Sequence, residues 1–220
     1  MEESVRSRPR RVQHAQAHAE GYGRRAREAG DADVDGNATA TLTRLDGGSG
    51  ICGFYRLLAT DHRYGRMGWD IPGRSRLLSD GAVEITLPAA EDRPFELIAV
   101  YRWVDPATLD LTATMKPNAD LSNFELFLAS YFNDAVPSPY VYAQSDSGPG
   151  EFLLAEKSYG DWMTFPRDKA WLPMIRDGRW QKEPYPLTWA IVREYALPLA
   201  LRRGGAAQLA VVLMAPREDC

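Results

Sequence analysis

A chain of 220 residues, 45% hydrophobic and 25% charged, is long enough to bury one substantial core, and all-β domains commonly reach this size undivided. Its formal charge of −4 gives no ground for expecting nucleic acid as a partner, and no apolar run approaches membrane-spanning length. Two cysteines, Cys52 and Cys220, are too few for a disulfide framework and stand in no Cys/His cluster of the zinc-binding kind, so Cys52 reads as a small core residue and no cofactor is expected.

Met1-Glu2-Glu3 runs into arginines without an apolar stretch, so no signal peptide is readable and a cytoplasmic location is the default expectation. Residues 1 to 30 are rich in Arg and Ala and lack Leu, Ile, Phe and Trp, while Gly21 and Gly23 interrupt any helix. Arg6, Arg8, Arg10, Arg11, Arg24, Arg25 and Arg27 have the charge of a basic arm. Glu2, Glu3, Glu20 and Glu28 dilute it and no aromatic platform is interleaved, which favours a solvated tail. Asp31, Asp33 and Asp35 with Gly36 match the first half of a calcium loop, in which alternate carboxylates wrap a hard cation. The twelfth position is Leu42 in place of a bidentate Glu, so an acidic linker is the better reading. Residues 1–37 are therefore expected to be a flexible, poorly ordered tail and linker, and 38–220 a β-sandwich domain.

From Ala38 onward the dominant period is two, the signature of strands with one buried face. Leu109, Leu111, Ala113 and Met115 alternate with Asp110, Thr112, Thr114 and Lys116, and Phe95, Leu97, Ala99, Tyr101 and Trp103 share a face before them. Asp105-Pro106 supplies the turn, so the two runs predict an antiparallel hairpin. Residues 123–132 carry apolar side chains on both faces and predict a central strand. Further strands are expected near Ala38 to Leu45, Ile51 to Ala59, Ala82 to Leu87, Tyr140 to Gln144, Phe152 to Glu156, Leu187 to Val192, Leu197 to Arg202 and Gln208 to Met214. Gly47-Gly48-Ser49-Gly50 reads as a hairpin turn, since it lacks the Lys-Ser/Thr of a phosphate loop. Asp168 to Asp177 predicts one short helix stopping at Gly178, with Pro173 distorting its middle. The last strand runs out through Ala215 to Cys220 without a closing strand, so the sandwich is expected to be incomplete and to leave an edge there.

Five blocks carry a family likeness: Glu91-Asp92-Arg93-Pro94-Phe95-Glu96, Tyr101-Arg102-Trp103, Phe127-Leu128-Ala129-Ser130-Tyr131-Phe132, Phe165-Pro166-Arg167-Asp168 and Asp177-Gly178-Arg179-Trp180. Over roughly residues 50 to 220 the chain resembles largely uncharacterised bacterial proteins of the galactose mutarotase-like β-supersandwich architecture. The resemblance implies further strands beyond Cys220 and a carbohydrate-related function. The aldose epimerase branch of that architecture works with a carboxylate base and histidine acids, and no such set aligns onto this sequence; ancestry alone carries no activity across.

Outside the tail, the one histidine is His62, in a polar turn between strands, a weak candidate for acid–base chemistry on a sugar. No G-x-S-x-G elbow points to a hydrolase. Sugar recognition combines a flat aromatic face with planar hydrogen-bonding groups, and three loops supply both kinds: Trp69 with Asp70, Trp162 with Arg167 and Asp168, and Arg179 with Trp180. The competing reading is that the tryptophans plug the sandwich and the Arg–Asp neighbours tie loops together. Three functions follow: a sugar-binding or catalytically reduced relative of aldose epimerases, with a carbohydrate as partner and neither nucleic acid nor membrane; a structural module meeting another chain or domain through a sheet face or edge; and an active sugar isomerase or lyase. Whether the protein is an enzyme is left open by the sequence.

Overall fold

The structure, a computed structural model, describes residues 4–5, 10–18, 52–65, 68–204 and 210–217. In chain order the strands are β1 (Ser4–Val5), β2 (Arg10–His18), β3 (Gly53–Ala59), β4 (His62–Arg63), β5 (Arg74–Leu77), β6 (Val83–Leu87), β7 (Phe95–Asp105), β8 (Thr108–Pro117) and β9 (Leu121–Ser122). They continue as β10 (Glu125–Ala129), β11 (Ser138–Ser145), β12 (Gly148–Leu154), β13 (Met163–Thr164), β14 (Ala190–Ile191), β15 (Tyr195–Arg203) and β16 (Ala210–Met214). Nine form one antiparallel sheet in the order β12-β11-β15-β16-β2-β8-β7-β6-β5, and three form a smaller antiparallel sheet, β10-β3-β4. The fold is all-β and sandwich-like.

The β7–β8 hairpin sits where the alternation places it. Phe95, Leu97 and Ala99 on β7 and Leu109, Leu111, Ala113 and Met115 on β8 are buried, with Leu97 opposite Met115 and Ala99 opposite Ala113. A one-residue register slip would turn these side chains to the other face, so the core itself pins the pairing. At the turn the Asp105 carboxylate accepts the Ala107 N–H at 2.8 Å, which closes the connection locally.

Between the two sheets Phe54, Leu57, Ile71, Leu121, Leu126 and Cys52 meet the inner face of β6, β7 and β8. Cys52 is a core residue, as expected, and burial pushes its thiol upward against the Ser130 hydroxyl that bonds it. Strand β3 is buried on both faces, and its pairing with β10 skips Tyr55: Arg56 lies opposite Phe127 and Phe54 opposite Leu128. This bulge shifts the side-chain parity. Phe54 and Leu57 therefore join the central core, while Leu58 packs in a separate cluster with Trp180 and Leu187. The segment 177–189 thus lies as a third layer over the small sheet.

Three expectations are corrected. The strand within 123–132 is covered on both faces, through Leu126 and Phe127, but it ends the order of the small sheet, and β3 takes the centre. Strand β16 is not an edge, since β15 flanks one side and β2 the other, and the ends of the large sheet are β12 and β5. The run Leu187 to Val192 contracts to Ala190–Ile191, which pairs in parallel with β13. Arg10–His18, where composition predicts a solvated tail, pairs through its backbone between β16 and β8 in the large sheet.

The one α-helix among the described residues, α1 (Leu172–Arg176), follows a 3-10 turn at Lys169–Trp171 that Asp168 caps by accepting the Ala170 N–H at 2.8 Å. Pro173 falls in the first turn of α1, where a missing N–H costs nothing, so it starts the helix and does not distort it. Gly178 then takes a left-handed φ of 96° and ends the element, as expected. The expected strand at Ala38 to Leu45, the turn at Gly47 to Gly50 and the candidate ligands Asp31, Asp33 and Asp35 lie outside the described residues.

Candidate functional site

The layer over the small sheet is built from aromatic rings. Trp180, 2% exposed, meets Phe127 at 5.1 Å and Trp189 at 4.9 Å between centroids, both edge to face. The chain of rings extends from Trp189 to Trp162 at 6.4 Å, and from Phe127 through Tyr55 at 5.6 Å to Tyr131 at 6.2 Å beyond it. Such pairs contribute about 0.5–1.5 kcal/mol each beyond the area they bury, so this is a stiff element. Backbone bonds hold its strands in place: the Leu187 N–H donates to the Trp180 carbonyl at 2.8 Å and the Ala190 N–H to the Trp162 carbonyl at 2.7 Å. The close approach at Ala190 depends on Gly160, with φ of 140°, because a Cβ there would stand 2.8 Å from the Ala190 Cβ. Two members of the layer open to solvent: Trp162 is 49% exposed and Tyr185 50%.

Two arginines are buried beneath it. Arg179, 0% exposed, uses its whole guanidinium. Its Nε donates to both Asp177 oxygens at 3.1 and 3.0 Å and its Nη2 to Asp177 Oδ2 at 2.8 Å; Nη1 donates to the Asn123 carbonyl at 2.8 Å and to Glu125 Oε2 at 3.2 Å. Burial pushes the Glu125 carboxyl up to about 7, opposed by Arg179 and reinforced by the Asp177 charge. For Asp177 burial acts upward too, but the Arg179 hydrogen bonds outweigh it and hold the carboxyl below its ordinary range.

Arg56, 2% exposed, has a different environment. Its guanidinium lies over the Tyr55 ring at 5.0 Å and the Trp180 ring at 5.1 Å, and its Nη2 donates to the Tyr185 carbonyl at 2.9 Å. Its Nε and Nη1 are buried without a hydrogen-bond partner, and no ion pair joins it to a described Asp or Glu. The neighbouring charge is positive: burial and then Arg56 depress the Arg63 guanidinium. Arg63 Nη1 donates to the carbonyls of Lys182 and Pro184, which ties the same loop down from β4. Burial also pushes the Tyr131 hydroxyl up to about 12, with the Tyr55 hydroxyl adding to the rise and Arg56 opposing it.

No protein-family model, curated protein or solved structure matches this chain.

Of the residues singled out in the sequence, Trp162 and Trp180 come together in this layer through Trp189, Arg179 is buried beneath it, and of the three only Trp162 is open to solvent. Arg167 stacks its guanidinium 4.8 Å from the Trp171 ring and pairs with Asp168 at 3.0 Å, so this Arg–Asp pair ties a loop to the start of α1. Asp70 is exposed in the 3-10 turn Gly68–Asp70, which also contains Trp69. His62 is exposed on β4; its ring lies 4.4 Å from that of Tyr64, which in turn meets Phe95, while the adjacent Asp61 pairs with Lys182 at 2.8 Å. The residues the sequence reading missed are Arg56, Tyr55, Tyr185 and Trp189. The signal for the first was available: one arginine inside Phe54-Tyr55-Arg56-Leu57-Leu58-Ala59 is a charge placed in a strand that is otherwise apolar.

Among the described residues no three His, Cys, Asp or Glu side chains converge in a way that could hold a metal ion. No described helix is long and apolar enough to cross a membrane. What the arrangement offers chemically is a flat ring at the surface, a second exposed aromatic on a loop, and unspent hydrogen-bond donors just below.

Proposed function

We propose that this is a carbohydrate-binding β-sandwich protein, which holds a sugar against the Trp162 surface without transforming it. The observation that carries the reading is Trp162 itself: half of a large apolar ring is open to water although the ring is anchored edge-on to Trp189 in a stiff cluster. A tryptophan fixed in this way presents a face suited to the C–H side of a pyranose, at little entropic cost on binding. Exposed Asp161 and Tyr185 supply hydrogen-bonding groups of the kind that meet sugar hydroxyls. The likeness of the sequence blocks to a mutarotase-like architecture points the same way. Calorimetric titration of a panel of neutral and acidic oligosaccharides into the wild type and Trp162→Ala tests it. Binding by the wild type that Trp162→Ala weakens at least about tenfold supports the reading, and binding that survives the substitution, or none across the panel, sinks it.

A second reading, an interaction module, has its own observation. The terminal strands of the large sheet leave apolar side chains open, Phe152 on β12 and Leu77 on β5, and all four residues of β5 are exposed. Unpaired strand edges of this kind recruit other chains. It requires concentration-dependent mass in sedimentation that Phe152→Lys or Leu77→Lys removes.

A further inference from the structure

The ligand's chemical class can be taken one step further, on the basis of the sugar-binding reading. We propose that Arg56 anchors an oxyanion substituent, so that the saccharide held beside Trp162 is an acidic one, bearing a carboxylate or a sulfate ester.

Arg56 alone among the described side chains leaves two buried nitrogens unpartnered, and both belong to one charged group. Such a group is costly to bury, and proteins ordinarily saturate it. This chain does so nearby: every nitrogen of Arg179 is engaged by Asp177, Glu125 and Asn123. The rings of Tyr55 and Trp180 beside Arg56 orient it and offset part of the cost, yet they leave Nε and Nη1 unspent. With Arg63 beside it and no described carboxylate paired to it, the field at its planar fork is that of an anion receptor.

Access is through the loop that covers it. Lys182, Glu183, Tyr185 and Pro186 are exposed, and the Tyr185 carbonyl accepts from Nη2, so an exposed loop is in direct contact with the guanidinium. Reaching the fork requires this segment to give up the bonds that Arg56 makes to the Tyr185 carbonyl and Arg63 to the Lys182 and Pro184 carbonyls, on the side of the layer that carries Tyr185. From there the ring sequence Trp180, Trp189, Trp162 leads to the exposed tryptophan, within the span of a short oligosaccharide.

The test uses three probes of like shape: a galacturonate trisaccharide, its methyl ester, which is neutral, and a galactose trisaccharide bearing 6-sulfate esters. Each is titrated calorimetrically at low salt into the wild type, Arg56→Gln and Arg56→Lys. The expected result is that an acidic probe binds the wild type at least about tenfold more tightly than the ester, that Arg56→Gln brings the ratio near one while ester binding persists, and that Arg56→Lys keeps part of it. Whichever acidic probe binds more tightly identifies the substituent as carboxylate or sulfate. Equal binding of ester and acid by the wild type overturns the anion anchor and leaves sugar binding standing, a comparison that holds even where Arg56→Gln does not fold. A preference that survives in folded Arg56→Gln overturns it as well. Binding of no probe removes the sugar reading and this inference with it.

Discussion

Arg179 and Arg56 are both buried beneath one aromatic layer, Arg179 beside β10 and Arg56 on β3, and they are treated in opposite ways. Around Arg179 the chain assembles two carboxylates and a carbonyl so that no donor is left over; around Arg56 it assembles ring faces, one carbonyl and another arginine. The first arrangement is what a structural tie requires. The second leaves two donors of a buried charge unspent, which is how binding sites differ from cores.

The contrast can be broken most directly at Arg179. Arg179→Met removes a fully buried charge from two partly buried carboxylates, Asp177 and Glu125, and the expected loss is about 3 kcal/mol in urea-induced unfolding, the lower end for a broken buried pair. A loss of comparable size, about 3–5 kcal/mol, is expected for Trp180→Ala, which empties the cluster shared with Leu58 and Leu187. Arg56→Met should behave unlike either: replacing an incompletely bonded charge by an apolar chain of similar length leaves stability within about 1 kcal/mol of wild type, or raises it. A drop matching that of Arg179→Met would make the two arginines equivalent.

Glu125 gives a pH test of the same tie. Its folded carboxyl titrates near 7 against an ordinary value of 4.5, so between those values the folded protein holds a proton that the unfolded chain has released. Stability from this group is therefore greatest below 4.5 and falls as pH rises through 7, at most about 1.4 kcal/mol per pH unit. Asp177 acts in the other direction and in a lower window: its depressed carboxyl contributes stability above the ordinary 3.8 that is lost as pH falls through the folded value. Glu125→Gln should flatten the profile between 4.5 and 7 and leave the acidic limb intact. A similarly small effect on stability, about 0.5–1 kcal/mol, is expected at Trp162→Ala for a half-exposed ring, combined with saccharide binding weakened at least about tenfold.

How much of this was legible in the sequence depended on whether side chains or backbone did the specifying. The β7–β8 hairpin was readable because alternate apolar positions, Phe95, Leu97 and Ala99 on one strand and Leu111, Ala113 and Met115 on the other, face one core. The end of α1 was readable because Gly178 must adopt a left-handed conformation that few other residues take; its start was less so, because Asp168 caps the 3-10 turn ahead of it and Pro173 falls in its own first turn. Strand β5, Arg74-Ser75-Arg76-Leu77, was not, since an exposed end strand has no buried face to produce alternation. Arg10–His18 carries no large apolar residue beyond Val12 and enters the sheet through backbone pairing. Within the site, composition pointed to Trp162, Arg179 and Trp180 but could not separate a ring that plugs a layer from one that faces water. That distinction comes from the bulge at Tyr55, which turns Arg56 out of the central core, and from Gly160, which lets the Trp162 loop close on Ala190.

The arginine side-chain Nε–H resonances in a nitrogen-15 spectrum report on the two guanidinium groups at once. On titration with the galacturonate trisaccharide, the Arg56 resonance is expected to move in proportion to occupancy while that of Arg179 stays fixed. A stationary Arg56 signal in the presence of bound saccharide, or equal movement of both, would contradict the division of labour between them.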